Sequence, residues 1–107
     1  MKRLLLPLLA ALALPISVNA YDVDKEMARE FANNVARELK VFKQAMKNKD
    51  WDNFCLQGNM ALNTLTAGWS YMQNAGSSYD DLSNLKKLIV NKMKNEPPWN
   101  KRCVVLY

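Results

Sequence analysis

Apolar residues recur every three or four positions along most of this chain, a spacing that fits amphipathic helices and little else. From Asp24 to about Lys49 the repeat runs Ala28, Ala32, Val35, Leu39, Phe42, Met46, with Met27 and Phe31 widening the stripe. The spacing predicts a helix over 24–49. Asp22 or Asp24 can cap its start, and Glu26 and Glu30 suit the positive end of the helix dipole. Lys43, Lys47 and Lys49 suit the negative end, and Asn48-Lys49-Asp50 reads as a tight turn with Asp50 as the next N-cap.

A second helix is expected over 51–74, with Trp51, Phe54, Cys55, Ala61, Leu62, Leu65, Trp69 and Met72 on its apolar face. Gly58 and Gly68 sit on or near that face, and each costs a helix about 1 kcal/mol relative to Ala. Small residues there permit close helix approach; a bend is the rival reading. Ala75-Gly76 ends the helix. Ser77 or Ser78 starts a third over 78–95, with Asp80 and Asp81 in its first turn and Leu82, Leu85, Leu88, Ile89 and Met93 facing inward. Pro97 and Pro98 stop it, because the residue before a proline avoids the helical region. The tail, 96–107, ends in Val104-Val105-Leu106-Tyr107, too apolar to stand free in water, and is expected to pack on the helices.

Short connections make successive helices antiparallel neighbours, so the expected fold is all-α, an up-down-up three-helix bundle. Ahead of it, Met1-Lys2-Arg3, an apolar run from Leu4 to Val18 and Val18-Asn19-Ala20 form the charged, apolar and small-residue regions of a cleavable signal peptide over 1–20. The run is shorter than the roughly 20 residues that span a bilayer, and Pro7 and Pro15 interrupt it. Residues 21–107 then form one small exported domain, sent by the general secretory route to a periplasm, a thylakoid lumen or the extracellular space, and not transmembrane after cleavage. Loss of Lys2 and Arg3 lowers the net charge from +5 by two. That remainder is too small for a nucleic-acid-binding signature, and no nucleic-acid partner is expected.

Two cysteines, Cys55 and Cys103, remain in a compartment that oxidises thiols, and an even count in a small exported chain predicts a disulfide. The topology agrees. Cys55 lies one turn into helix two, and an antiparallel third helix returns Cys103 to that same end.

The chain has no His, which removes Ser-His and Cys-His nucleophilic sites and His-ligated zinc or haem. There is no glycine-rich phosphate loop and no calcium-binding loop. The carboxylate pairs Asp50/Asp52 and Asp80/Asp81 fall at helix starts, where capping accounts for them. Of Met27, Met46, Met60, Met72 and Met93, four fall on or beside the expected core stripes, where Met is ordinary filler, so core packing is favoured over a copper site. No cofactor, no metal and no catalytic residue is expected, and the protein reads as non-enzymatic.

Two features point to binding, the first giving the leading reading, a protein partner or self-association, and the second its alternative, an anionic surface. No charge occurs from Asn53 through Tyr79, and helix two's outer face carries Gln57, Asn59, Asn63, Thr66, Ser70, Gln73 and Asn74. Charge depletion with amides and aromatics resembles interface composition, which would serve a protein partner or a homodimer. Separately, Lys43, Lys47, Lys49, Lys92, Lys94, Lys101 and Arg102 gather at the disulfide end of an antiparallel bundle, where they outnumber Asp50, Asp52 and Glu96. Such an end would attract an anionic surface such as lipid head groups or acidic polysaccharide. Acids outnumber cations at the opposite end.

The leader Met1-Lys2-Arg3-Leu4-Leu5-Leu6-Pro7 and the stretch Asp50-Trp51-Asp52-Asn53-Phe54-Cys55, with Gly68 downstream, resemble small exported helical proteins of cyanobacteria, mostly uncharacterised. The resemblance covers the signal peptide and about one helix. It implies periplasm or thylakoid lumen and no activity.

Overall fold

The computed structural model describes residues 22–107, with side chains from Lys25 onward; the expected signal peptide over 1–20 lies outside the described residues. Among the described residues four α-helices follow one another: α1, Asp22–Lys47; α2, Trp51–Ala67; α3, Trp69–Asn74; and α4, Tyr79–Asn95. A 3-10 turn, Trp99–Lys101, precedes an extended tail. Among the described residues there is no strand, and no helix is long and apolar enough to cross a membrane.

The helix junctions follow from local chemistry. The Asp50 side chain accepts from Asn53 N at 3.5 Å, and Ser78 Oγ accepts from Asp81 N at 3.0 Å, so each caps the helix after it. Two helices end on a left-handed residue. At Lys49 (φ 56°) Asp50 N donates to Ala45 O at 2.9 Å and Lys49 N donates to Met46 O at 3.1 Å. At Gly76 (φ 113°) Ser77 N donates to Met72 O at 2.9 Å and Gly76 N donates to Gln73 O at 3.0 Å. Glycine enters that region freely, whereas a lysine meets its own carbonyl.

The expected three helices are four, because helical geometry lapses at Gly68 (φ −95°, ψ 3°). The cause lies across the interface. A Cβ there would stand 2.4 Å from Phe31 Cγ and 2.5 Å from Phe31 Cβ on α1. Both readings of Gly68 therefore hold: the chain bends, and α1 comes close. Gly58 stays helical and is purely a close approach, where a Cβ would meet Met93 Sδ of α4 at 2.6 Å and Phe42 Cε1 of α1 at 2.9 Å.

The core lies between these elements. Val35, Phe54, Ala61, Leu62, Leu65, Met72, Leu82, Leu85, Ile89 and Met93 are buried completely or nearly so. Each fully buried large side chain contributes about 1.5–3 kcal/mol through removal from water. The Phe42 ring stacks on Phe54 at 4.2 Å, joining late α1 to early α2, and Phe31 stacks on Tyr71 at 5.6 Å, joining early α1 to α3. Leu88, expected on the inward stripe of α4, is only half-buried.

Cys55 and Cys103 form a disulfide, with Cα atoms 5.3 Å apart. Beyond it the tail runs extended along α2 and pairs with no strand. The Asn59 amide holds it, donating from Nδ2 to Val104 O at 2.8 Å and accepting at Oδ1 from Leu106 N at 3.0 Å. Val105, between them, packs against the core, while Val104 and Leu106 point to solvent.

Candidate functional site

The basic residues do meet at the disulfide end. Lys47 and Lys49 close α1 next to the start of α2, and Lys101 and Arg102 adjoin Cys103. Two of the seven are engaged internally. Lys92 Nζ lies 3.4 Å from Glu96 Oε1, and the Arg102 guanidinium donates to the Lys94 carbonyl, covering the C-terminal end of α4. Lys43 is half-buried, which leaves Lys47, Lys49, Lys94 and Lys101 exposed.

The same end carries apolar surface that sequence reasoning assigned to packing. Trp99 is 85% exposed, Val104 74% and Leu106 68%, with Leu56, Met60 and Tyr107 also exposed. Several contacts tie down the backbone that carries Trp99, Val104 and Leu106. Pro97 is buried, Lys101 N donates to Pro98 O at 2.8 Å, and the disulfide and Asn59 fix the residues after the turn. The expectation that the tail packs on the helices therefore holds for Cys103 and Val105 and fails for Val104 and Leu106, because an extended chain turns alternate residues to opposite sides.

The uncharged row of helix two divides in the same manner. Asn59 is occupied by the tail, Gln57 Nε2 donates to Asn53 Oδ1 at 3.4 Å, and Thr66 Oγ1 donates to Leu62 O at 2.8 Å. Asn63, Ser70, Gln73 and Asn74 face solvent.

A third site comes from residues that the sequence did not single out as a group. Thr66, Trp69, Tyr79, Ser83, Lys86 and Lys87, with Val90 and Asn91, line a partly open groove of about 530 Å³ between the α2–α3 junction and α4. Tyr79, Ser83, Lys86, Lys87 and Val90 share one face of α4 by their spacing. The bend at Gly68 and the Gly76 turn bring Trp69 and Tyr79 together, edge to face at 5.7 Å. The sequence signal was a pair of aromatics bracketing a glycine turn, with Lys86-Lys87 two turns beyond.

One buried titratable group also escaped the sequence reading. Glu38 is 8% exposed, and its Oε1 accepts from Thr64 Oγ1 at 2.9 Å, while Oε2 is buried without a hydrogen-bond partner among the described residues. Burial raises its pKa above the ordinary 4.5, against the opposing effects of the Thr64 hydroxyl and the Arg37 charge. Phe31, Glu38 and Ala45, seven residues apart, form one edge of the α1 stripe, so the repeat did place Glu38 beside the core. Among the described residues, no three of His, Cys, Asp and Glu cluster to hold a metal ion. Comparison of the chain with protein-family models, with curated proteins and with solved structures finds no match.

Proposed function

We propose that this is an exported, non-enzymatic helical module, its helices arranged up-down-up, that docks on anionic lipid surfaces through its disulfide end. The carrying observation is Trp99, 85% exposed on a pinned turn between Lys94 and Lys101, with Val104 and Leu106 exposed just beyond. An indole ring with an apolar body and a polar N–H gains most at a membrane–water boundary. Each lysine near an anionic leaflet contributes about 1 kcal/mol, screened by salt. The disulfide supports an oxidising compartment, where the signal peptide over 1–20 would deliver the chain. The resemblance to exported cyanobacterial proteins is carried as part of this reading.

Sedimentation with phosphatidylglycerol-containing vesicles tests it. Binding should occur at low salt, fall steeply at high salt and be absent with phosphatidylcholine alone. W99A and the K94A/K101A pair should each weaken it, the lysine pair by about tenfold or more. Equal binding to neutral vesicles, or none to either, would refute the proposal.

A second reading, contact with a protein partner or a second copy, is favoured by the exposed uncharged residues Asn63, Ser70, Gln73 and Asn74 on α2 and α3. A packed interface of that kind resists salt, so a partner or dimer surviving high ionic strength and lost on N63D/Q73E would select this reading.

A further inference from the structure

The groove between the α2–α3 junction and α4 runs along α4 from Tyr79 to Asn91. Its aromatic end lies about 20 Å along the helix axis from the disulfide, by the residue count from Cys55 to Trp69, and its other end, at Asn91, adjoins Lys92. Anion docking at the tail does not account for the aromatic end with Trp69 and Tyr79. We propose that this groove is a binding site for an acidic oligosaccharide, a chain of carboxylated sugar units.

Its chemistry selects that ligand in three ways. Lys86 and Lys87 both line it, and among the described residues no carboxylate lines it and neither lysine has an acid within ion-pairing distance. The uncompensated charge calls for an anion. Tyr79 is 62% exposed, with its ring held edge to face against Trp69. An aromatic ring open to solvent can take the C–H face of a pyranose, which a bare inorganic anion does not offer. The remaining polar groups suit hydroxyls. Thr66 Oγ1 has committed its hydrogen to Leu62 O and is left as an acceptor, and Ser83 offers a rotatable donor and acceptor.

Size and shape agree. About 530 Å³ falls within the range of small-ligand sites, and the groove is partly open to solvent. The site is built on helices. Trp69 opens α3 and Tyr79 opens α4, and the turn between them is fixed by the paired hydrogen bonds at Gly76. The rings are thus in place before any ligand arrives.

Titration of the disulfide-intact protein with tetragalacturonate, followed by calorimetry and by Trp emission, tests the assignment. Saturable binding at one site is expected, with an altered Trp signal and no binding of the neutral tetramer maltotetraose. Binding should drop at least about tenfold in K86A/K87A and in Y79A, since each removes a charged or stacking contact. Y79F should retain it, and K47A/K49A should leave it unchanged. The variants sit at exposed or half-exposed positions, and unchanged helical circular dichroism will show that they fold. No saturable tetragalacturonate binding would overturn the proposal. So would equal binding of maltotetraose or inorganic phosphate, or binding insensitive to K86A/K87A. None of these results bears on vesicle binding through Trp99, so the two sites are tested separately.

Discussion

Replacing Gly68 with Ala tests whether close approach or backbone conformation requires the glycine. Its φ of −95° and ψ of 3° are open to any L residue. If conformational freedom were the only issue, Ala would stabilise the protein by about 0.4–1 kcal/mol through the unfolded chain. The packing argues the other way. The new methyl would fall 2.4 Å from Phe31 Cγ, 2.5 Å from Phe31 Cβ and 2.8 Å from Phe31 Cδ1. Cβ is one bond from the α1 backbone, and the ring is held in a stack on Tyr71, so relief requires α1 itself to shift. Overpacking of this kind costs about 1–3 kcal/mol. The net expectation is destabilisation by about 1–2 kcal/mol, or a Tm lower by roughly 5–15 °C for a domain of this size.

A double-mutant cycle separates this from general loss of stability. F31G alone removes the ring, its contact with Tyr71 and the Cβ atom. In that background the methyl added by G68A meets an opening instead of Cβ, Cγ and Cδ1, so the cost of G68A should shrink by at least about 1 kcal/mol. Urea unfolding of the four proteins, disulfide intact, gives the coupling directly. A G68A protein as stable as its parent, or penalties that simply add, would refute the reasoning.

The other tests are independent of that contact. Glu38 holds a proton in the folded state that the unfolded chain releases near pH 4.5, so its contribution to stability is present below that pH and is lost as pH rises through the raised folded pKa. The gap between E38Q and its parent in urea midpoint should therefore widen in the variant's favour from pH 4.5 upward; a flat or opposite trend would refute the assignment. K49G should stabilise by about 1 kcal/mol in thermal unfolding, because Lys49 ends α1 at φ 56°, while K49A should gain nothing. Removing the bridge by C55S/C103S should cost about 4 kcal/mol in chemical denaturation, from the loop of sequence separation 48 that the bond closes. N59A should leave the disulfide intact but free the tail, raising hydrogen exchange at the Leu106 amide, which now donates to Asn59 Oδ1 at 3.0 Å.

What the sequence made legible was whatever depends on near neighbours. The Asp50 and Ser78 caps, the Gly76 turn, the proline stop and the inward stripe of α1 each follow from a few adjacent residues. The disulfide was legible because cysteine count and helix order constrain each other. The rest depended on distant partners. Gly58 and Gly68 acquire meaning only from Met93, Phe42 and Phe31, which lie far off in the chain. Glu38 sits at the rotational edge of a stripe, where a few degrees separate solvent from core. Trp69 reads as a core aromatic until the bend at Gly68 turns it toward Tyr79.

The long stretch without charge shows how such a feature divides into structure and function. Helix α2 meets α1 through Phe54 and Phe42, α4 through Gly58 and Met93, and the tail through Asn59. A charge on any of those three sides would be buried without a partner, at a cost of several kcal/mol. Packing thus explains the buried and half-buried uncharged residues from Asn53 to about Leu62, but not Leu56 and Met60, which are exposed. It does not explain Asn63, Ser70, Gln73 and Asn74, which face water and would tolerate lysine or glutamate at little cost. If those four positions accept charge with no loss of stability and no loss of any partner, the depletion there has no physical role. If charge there leaves stability intact but abolishes association, the interface is confined to the α2–α3 end and is separate from the basic, tryptophan-bearing end.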